Sequence, residues 1–215
     1  MADINPVLVK NLREKTNAGM MDCKRALSEA GGDPEKAEAI LRQKGIASAG
    51  KKASRDAKEG IVASYIHLQG KVGVLVEINC ETDFVAKNEN FRDLVKDITL
   101  QIAAANPLII TRDQVDPALV AAEREIYKAQ VQGKPEAIME KIVEGKMEKF
   151  YSTICLMEQA CIKNPDITVK DLVATKISEL GENIVIRRFV RYSVGEEMGK
   201  PKTGDGSAVA DKTDS

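Results

Sequence analysis

Apolar residues recur three and four positions apart through residues 1–46, alternate with polar ones from Ile61, and return to helical spacing from Phe91. The first stretch predicts three short helices. Pro6 sits just inside the first, which carries Leu8 and Leu12 on one face and stops at Asn17-Ala18-Gly19. Cys23, Ala26, Leu27 and Ala30 form the stripe of the second, which stops at Gly31-Gly32. Asp33-Pro34 supplies an N-cap and a first-turn proline for the third, whose stripe is Ala37, Ile40 and Leu41. So small a bundle is marginal alone and reads as a satellite module.

Ile61–Leu68 and Val72–Ile78 are β-branched runs separated by Gln69-Gly70-Lys71, which predicts a hairpin with Gly70 at positive φ. Val72, Val74, Val76 and Ile78 share the core face, and His67 is expected at the strand end on the opposite face. Phe91, Leu94, Val95, Ile98 and Ile102 then predict a helix stopped by Asn106-Pro107. Further helices are expected from Asp116-Pro117 and from near Pro135, and an extended segment over 154–162. Thr168-Val169-Lys170-Asp171 resembles a capping box ahead of a helix closed by Gly181, and 184–194 predicts a last strand. Strands clustered beside helices, not alternating with them, define an α+β class with a small antiparallel sheet.

The expected organisation is a three-helix module over 1–46, a basic linker over 47–60, an α+β core over 61–195 and a disordered polar tail over 196–215. The linker's Lys51, Lys52, Arg55 and Lys58 outweigh Asp56 and Glu59, which suits a solvated connector, helical in part, or a phosphate contact.

Composition narrows the chemistry. With 32 basic and 33 acidic residues, the chain has no overall field directed at nucleic acid or an anionic membrane. Four cysteines without a C-x-x-C pair point to reduced thiols, and neither a secretory signal nor an apolar span of about 18 residues is visible. The expectation is a cytoplasmic protein. A single histidine, His67, disfavours His-rich metal sites, and no phosphate-loop, dinucleotide-binding, zinc-protease or nucleophile-elbow motif occurs. Glu144 and Glu148 lie among lysines at charge-pair spacing, and Cys80 reads as a small buried hydrophobe. Neither an enzyme nor a bound cofactor or metal is expected.

Thr82-Asp83-Phe84-Val85, just past the hairpin, has two readings. Thr82 or Asp83 caps the next helix while Phe84 and Val85 enter the core, or Asp83 and Phe84 project as a wedge for a partner. Met20 and Met21 are similarly open to core packing or to adaptable contact.

The segment 81–89 resembles the signature of the bacterial elongation factor Ts family, nucleotide exchange factors for elongation factor Tu. Residues 8–24, 141–151 and 181–188 resemble three further motifs of that family, in family order. The resemblance implies a ubiquitin-associated-like N-terminal fold and an α+β core that grips the partner GTPase in its GDP-bound and nucleotide-free states. It implies that Asp83 and Phe84, flanked by Thr82 and Val85, enter the partner's nucleotide-binding domain and disturb its Mg²⁺ site. It also implies that Arg13, Met20, Met21 and Lys24 contact the same domain.

Longer family members carry a duplicated core half, a coiled-coil insertion and a C-terminal helical module. Here one hairpin precedes the signature, and no heptads separate Ile154 from Thr168. The chain resembles the short form, which dimerises in some bacteria, so a homodimer is an expectation. The rival reading is an RNA- or ribosome-associated binding module without exchange activity, disfavoured by four Phe, four Tyr and a net charge of −1.

Overall fold

The computed structural model describes residues 4–16, 18–133 and 135–196. All of the tail expected over 196–215 except Glu196 lies outside them, as does Asn17 of the expected first stop. Three N-terminal helices, α1 (Pro6–Thr16), α2 (Met20–Glu29) and α3 (Pro34–Lys52), share a small core of Val9, Leu12, Cys23, Ala26, Leu27 and Ala37. Asp33 caps α3 by accepting from the N–H groups of Glu35 and Lys36 at 3.0 and 3.2 Å.

The rest is a three-stranded antiparallel sheet and five more helices. The strands β1 (Glu59–His67), β2 (Val72–Cys80) and β3 (Val185–Ser193) lie in that order, with β2 central. The helices are α4 (Asp83–Lys87), α5 (Glu89–Ala105), α6 (Pro117–Gln130), α7 (Glu136–Ile154) and α8 (Val169–Leu180). The described residues thus form an α+β fold.

The inner face of β2, Val72, Val74, Val76 and Ile78, packs with Phe91, Leu94, Val95, Ile98 and Ile102 of α5. The α8 residues Val169, Val173 and Ile177 join the same core. Gly60 is needed in β1 because its φ is +140° and a Cβ there would stand 2.2 Å from the Ile78 carbonyl oxygen. The outer sheet face carries Val62, Ile66, Leu75 and Tyr192 exposed to solvent.

Two local features differ from the sequence reading, the hairpin and residues 154–162, and two others extend it. The third helix runs through 47–52, where the composition suggests a linker. The small residues of that stretch let α3 lie against α8, where Arg42 pairs with Asp171 at 2.8 Å and the Lys52 ammonium donates to the Ile177 carbonyl at 3.3 Å. Packing against a neighbour replaces the apolar stripe that the sequence lacks.

At the hairpin, Leu68, Gln69 and Gly70 are all left-handed, with φ of 49°, 55° and 92°. His67 pairs with Val72 across it, so His67 belongs to the core-side face, at its exposed rim. Its Nδ1 lies 2.9 Å from the Tyr65 hydroxyl.

Residues 154–162 are not a strand. Ile154 ends α7, Leu156–Glu158 is one 3₁₀ turn, and single bridges join Cys155 to Ile109 and Ala160 to Thr168. Backbone bonds from Leu156, Met157 and Cys161 to the carbonyls of Ile109, Ile110 and Ile167 hold the segment, and buried glutamines complete it. Gln101 donates to the Ala160 carbonyl at 3.1 Å and accepts from the Ile162 N–H at 2.9 Å, and Gln159 donates to the Thr153 carbonyl at 2.9 Å.

Finally, α6 and α7 form an antiparallel hairpin with its own cluster of Val131, Val143 and Met147. A helical projection therefore precedes Ile154, although none lies between Ile154 and Thr168. Arg112 fastens its base through Glu148 and Glu158, and its guanidinium lies 4.4 Å from the Tyr151 ring centroid.

Candidate functional site

Strand β2 delivers the chain to Cys80, whose side chain is fully buried and whose thiol donates to the Thr82 carbonyl at 3.2 Å. Burial pushes that thiol up to about 11, which removes it as a nucleophile near neutral pH. Thr82 is extended, and its hydroxyl accepts from the Val85 N–H at 3.4 Å, which makes it the N-cap of α4.

A helix of one turn can bury only one side. Ala86 is buried and Val85 packs against the main core, so the residue before Val85, turned about 100° away, must face out. That residue is Phe84, and it is 81% exposed. Leaving a phenylalanine in water forgoes about 2 kcal/mol of burial, so the fold gains nothing from an aromatic there. Beside it, Asp83 is exposed and pairs with Lys87 at 2.6 Å. The hydrogen bond from Lys87 holds the Asp83 carboxyl below the usual carboxylate range, so it is ionised at neutral pH. The two sequence readings of 82–85 therefore divide: Thr82 caps and Val85 packs, while Asp83 and Phe84 project.

The turn that carries this pair is held from a distance. Glu182, at the α8–β3 junction, accepts from the Glu81 and Thr82 N–H groups at 3.1 and 3.0 Å. Its other oxygen accepts from the Thr82 hydroxyl at 2.6 Å. In return the Glu81 carboxylate accepts from the Asn183 N–H at 2.6 Å. Gly181, with φ +78°, ends α8 in the left-handed conformation and turns the chain back toward residue 81. Glu182 and Asn183 lie about a hundred positions from Thr82, and no local pattern signals their part here; the motif at 181–188 gives them a place in the chain but no role.

The second group of sequence-predicted residues lies on the N-terminal helices. Met20 and Met21 open α2 and are 58% and 65% exposed, so they do not pack into its core. Arg13 on α1 and Lys24 on α2 are also exposed, and neither has an ion-pair partner among the described residues. On the same helix Cys23 is fully buried, with a thiol raised above its ordinary value by burial. Among the described residues no group of three metal-ligating side chains converges, and no helix is long and apolar enough to cross a membrane.

An exposed aromatic and an ionised acid on a braced tip suit recognition of another macromolecule. Similarity to known proteins defines the class as translation elongation factors. The family model described as Elongation factor TS matches residues 48–196. Elongation factor Ts of Carboxydothermus hydrogenoformans is 57% identical over 209 residues, 96% of this chain and 96% of that protein. Elongation factor Ts of Thermodesulfovibrio yellowstonii is 57% identical over 194 residues, 90% of this chain and 97% of that one. The chain belongs to the elongation factor Ts family.

Proposed function

We propose that this protein is the guanine nucleotide exchange factor of its cognate elongation factor Tu, with Asp83 and Phe84 as the wedge and Thr82 and Val85 as its anchors. The observation that carries the reading is the solvent-exposed Phe84 on a braced turn, in a chain of this family. The ring opens a packed interface in the partner's nucleotide-binding domain, and the Asp83 carboxylate competes there for donors and cations. Mg²⁺ needs near-ideal octahedral geometry between the partner's side chains and the nucleotide phosphates. A small displacement of a supporting helix spoils that geometry, expels the ion and frees GDP, so that GTP can enter.

Linkage requires reciprocity: if this chain binds the nucleotide-free partner more tightly than the GDP form, GDP equally weakens its hold. About 4 kcal/mol of coupling corresponds to roughly a thousandfold. The residues Arg13, Met20, Met21 and Lys24 serve as a second contact on the same partner domain. No covalent bond changes in this chain, so it acts by binding and is not an enzyme. Four unpaired thiols suit a reducing, cytoplasmic setting.

Release of a fluorescent GDP analogue from the cognate elongation factor Tu tests the proposal. The protein should accelerate release strongly and Phe84→Ala should lose most of that acceleration. A folded wild type that leaves release unchanged, yet binds RNA with a steep salt dependence, would favour the RNA- or ribosome-associated alternative.

A second proposal concerns self-association. The outer sheet face presents Val62, Ile66, Leu75 and Tyr192 together, an apolar surface suited to a second copy. We propose a homodimer through this face, so that two cores act on the partners together. Sedimentation should show a concentration-dependent dimer that Leu75→Lys converts to monomer. A wild-type mass that stays monomeric at all concentrations would remove the dimer.

A further inference from the structure

We propose that Glu182 is a positioning residue for Phe84: its carboxylate gathers the donors of the 81–82 turn and aims the wedge before any partner arrives. The proposal rests on the wedge reading and goes beyond it, because it assigns a role to a residue on the opposite side of the core sequence.

Three donors converge on one carboxylate. The N–H groups of Glu81 and Thr82 lie 3.1 and 3.0 Å from Oε2, and the Thr82 hydroxyl lies 2.6 Å from Oε1. That hydroxyl is the cap of α4, so the same atom that starts the Phe84 helix is held by Glu182. Thr82 Oγ has one hydrogen to donate. Giving it to Glu182 leaves its lone pairs facing the Val85 N–H, which orients the cap. The turn is also fixed from below. Asn183, 3% exposed, donates from its side-chain amide to the Arg55 carbonyl at 2.8 Å, and Arg55 lies three residues past the end of α3. The same two-residue turn therefore touches the wedge on one side and the root of the N-terminal helices on the other.

A one-turn helix has almost no intrinsic stability. Without Glu182 the tip would sample many orientations, and each would have to be ordered at the moment of binding. Glu182 moves that ordering into the folding of the chain.

The experiment uses the full chain, the cognate elongation factor Tu and the fluorescent GDP analogue, with amide hydrogen exchange of the free protein alongside. Glu182→Ala should lower the maximal release rate about tenfold or more, with a change of less than about threefold in the concentration giving half-maximal rate. Glu182→Gln, which keeps one oxygen for the two N–H groups, should recover part of the loss. In a Phe84→Ala background, adding Glu182→Ala should change the rate by less than about twofold, because its effect passes through the ring. In the free protein, Glu182→Ala should speed exchange at the Glu81, Thr82 and Val85 amides and leave those of 94–102 protected.

Unchanged protection at 81–85, or a loss that multiplies undiminished on that of Phe84→Ala, would overturn the positioning role. If Glu182→Ala does not fold, Glu182→Gln carries both readouts. If Phe84→Ala leaves release unchanged, the wedge reading falls instead, and amide exchange alone decides whether Glu182 aims the tip.

Discussion

Two exposed apolar tips stand at helix starts in this molecule, and they are built differently. Phe84 follows a threonine cap held by Glu182, on a turn rooted in the main core. Met20 and Met21 follow Gly19, which makes no side-chain capping bond, above a core of only six buried residues. One is a stiff ring on a stiff mount, and the other a pair of flexible side chains on a light one. A stiff tip can transmit strain to a partner; a flexible one can only conform to it. Under the proposed function, the same surface signal, an apolar residue in water, serves displacement in one region and adaptable contact in the other.

The largest expected effect lies at the stiff tip. Phe84→Ala should slow stimulated GDP release by roughly thirtyfold or more, the scale of a central contact residue, and Asp83→Ala by less. Both variants should keep the wild-type melting temperature, because neither side chain is buried.

Next in size is the difference in local opening. Each tip has a buried thiol within four residues of it in the chain, Cys23 or Cys80, whose pKa burial raises, Cys80 to about 11. Labelling at pH 8 must therefore pass through opened states, and mass-resolved alkylation should modify Cys23 about tenfold faster than Cys80. Equal rates would mean that the two mounts are equally stiff. The same burial has a pH consequence. As pH rises past 9, unfolded thiols ionise while Cys80, Cys155 and Cys161, raised to about 11, keep their protons. Stability should fall between pH 9 and about 11, which denaturant melts at stepped pH would detect.

The smallest effect belongs to the methionines. Joint Met20→Ala and Met21→Ala substitution should raise the concentration for half-maximal release about fivefold and barely change the maximal rate. A fall in the maximal rate instead would make the N-terminal tip a second wedge.

Much of this was legible along the chain because it depends on near neighbours. The alternation of Val72, Val74, Val76 and Ile78, the stripe from Phe91 to Ile102, and the caps at Asp33, Asp116 and Thr168 each need only local geometry. The candidate tip was legible too, as an acid and an aromatic after a hairpin. Whether Phe84 points in or out was not, because that depends on which side of a one-turn helix the core occupies. The path of 154–162 escaped the pattern for a related reason: its backbone pairs with Ile109, Ile110 and Ile167 and with the Gln101 side chain, all outside the segment. The helical stretch 47–52 docks on α8, a contact that no spacing along the chain signals.

Local rules of spacing and capping therefore settle most of the elements, the α+β class and the residues available for recognition. Packing settles the rest: the docking of α3 on α8, the exposure of Phe84, and the meeting of Glu182 with Thr82 across about a hundred residues. Those contacts join groups distant in the chain, and no local spacing encodes them. They form when burial of the shared core brings the segments together, and the hydrogen bonds then select one arrangement.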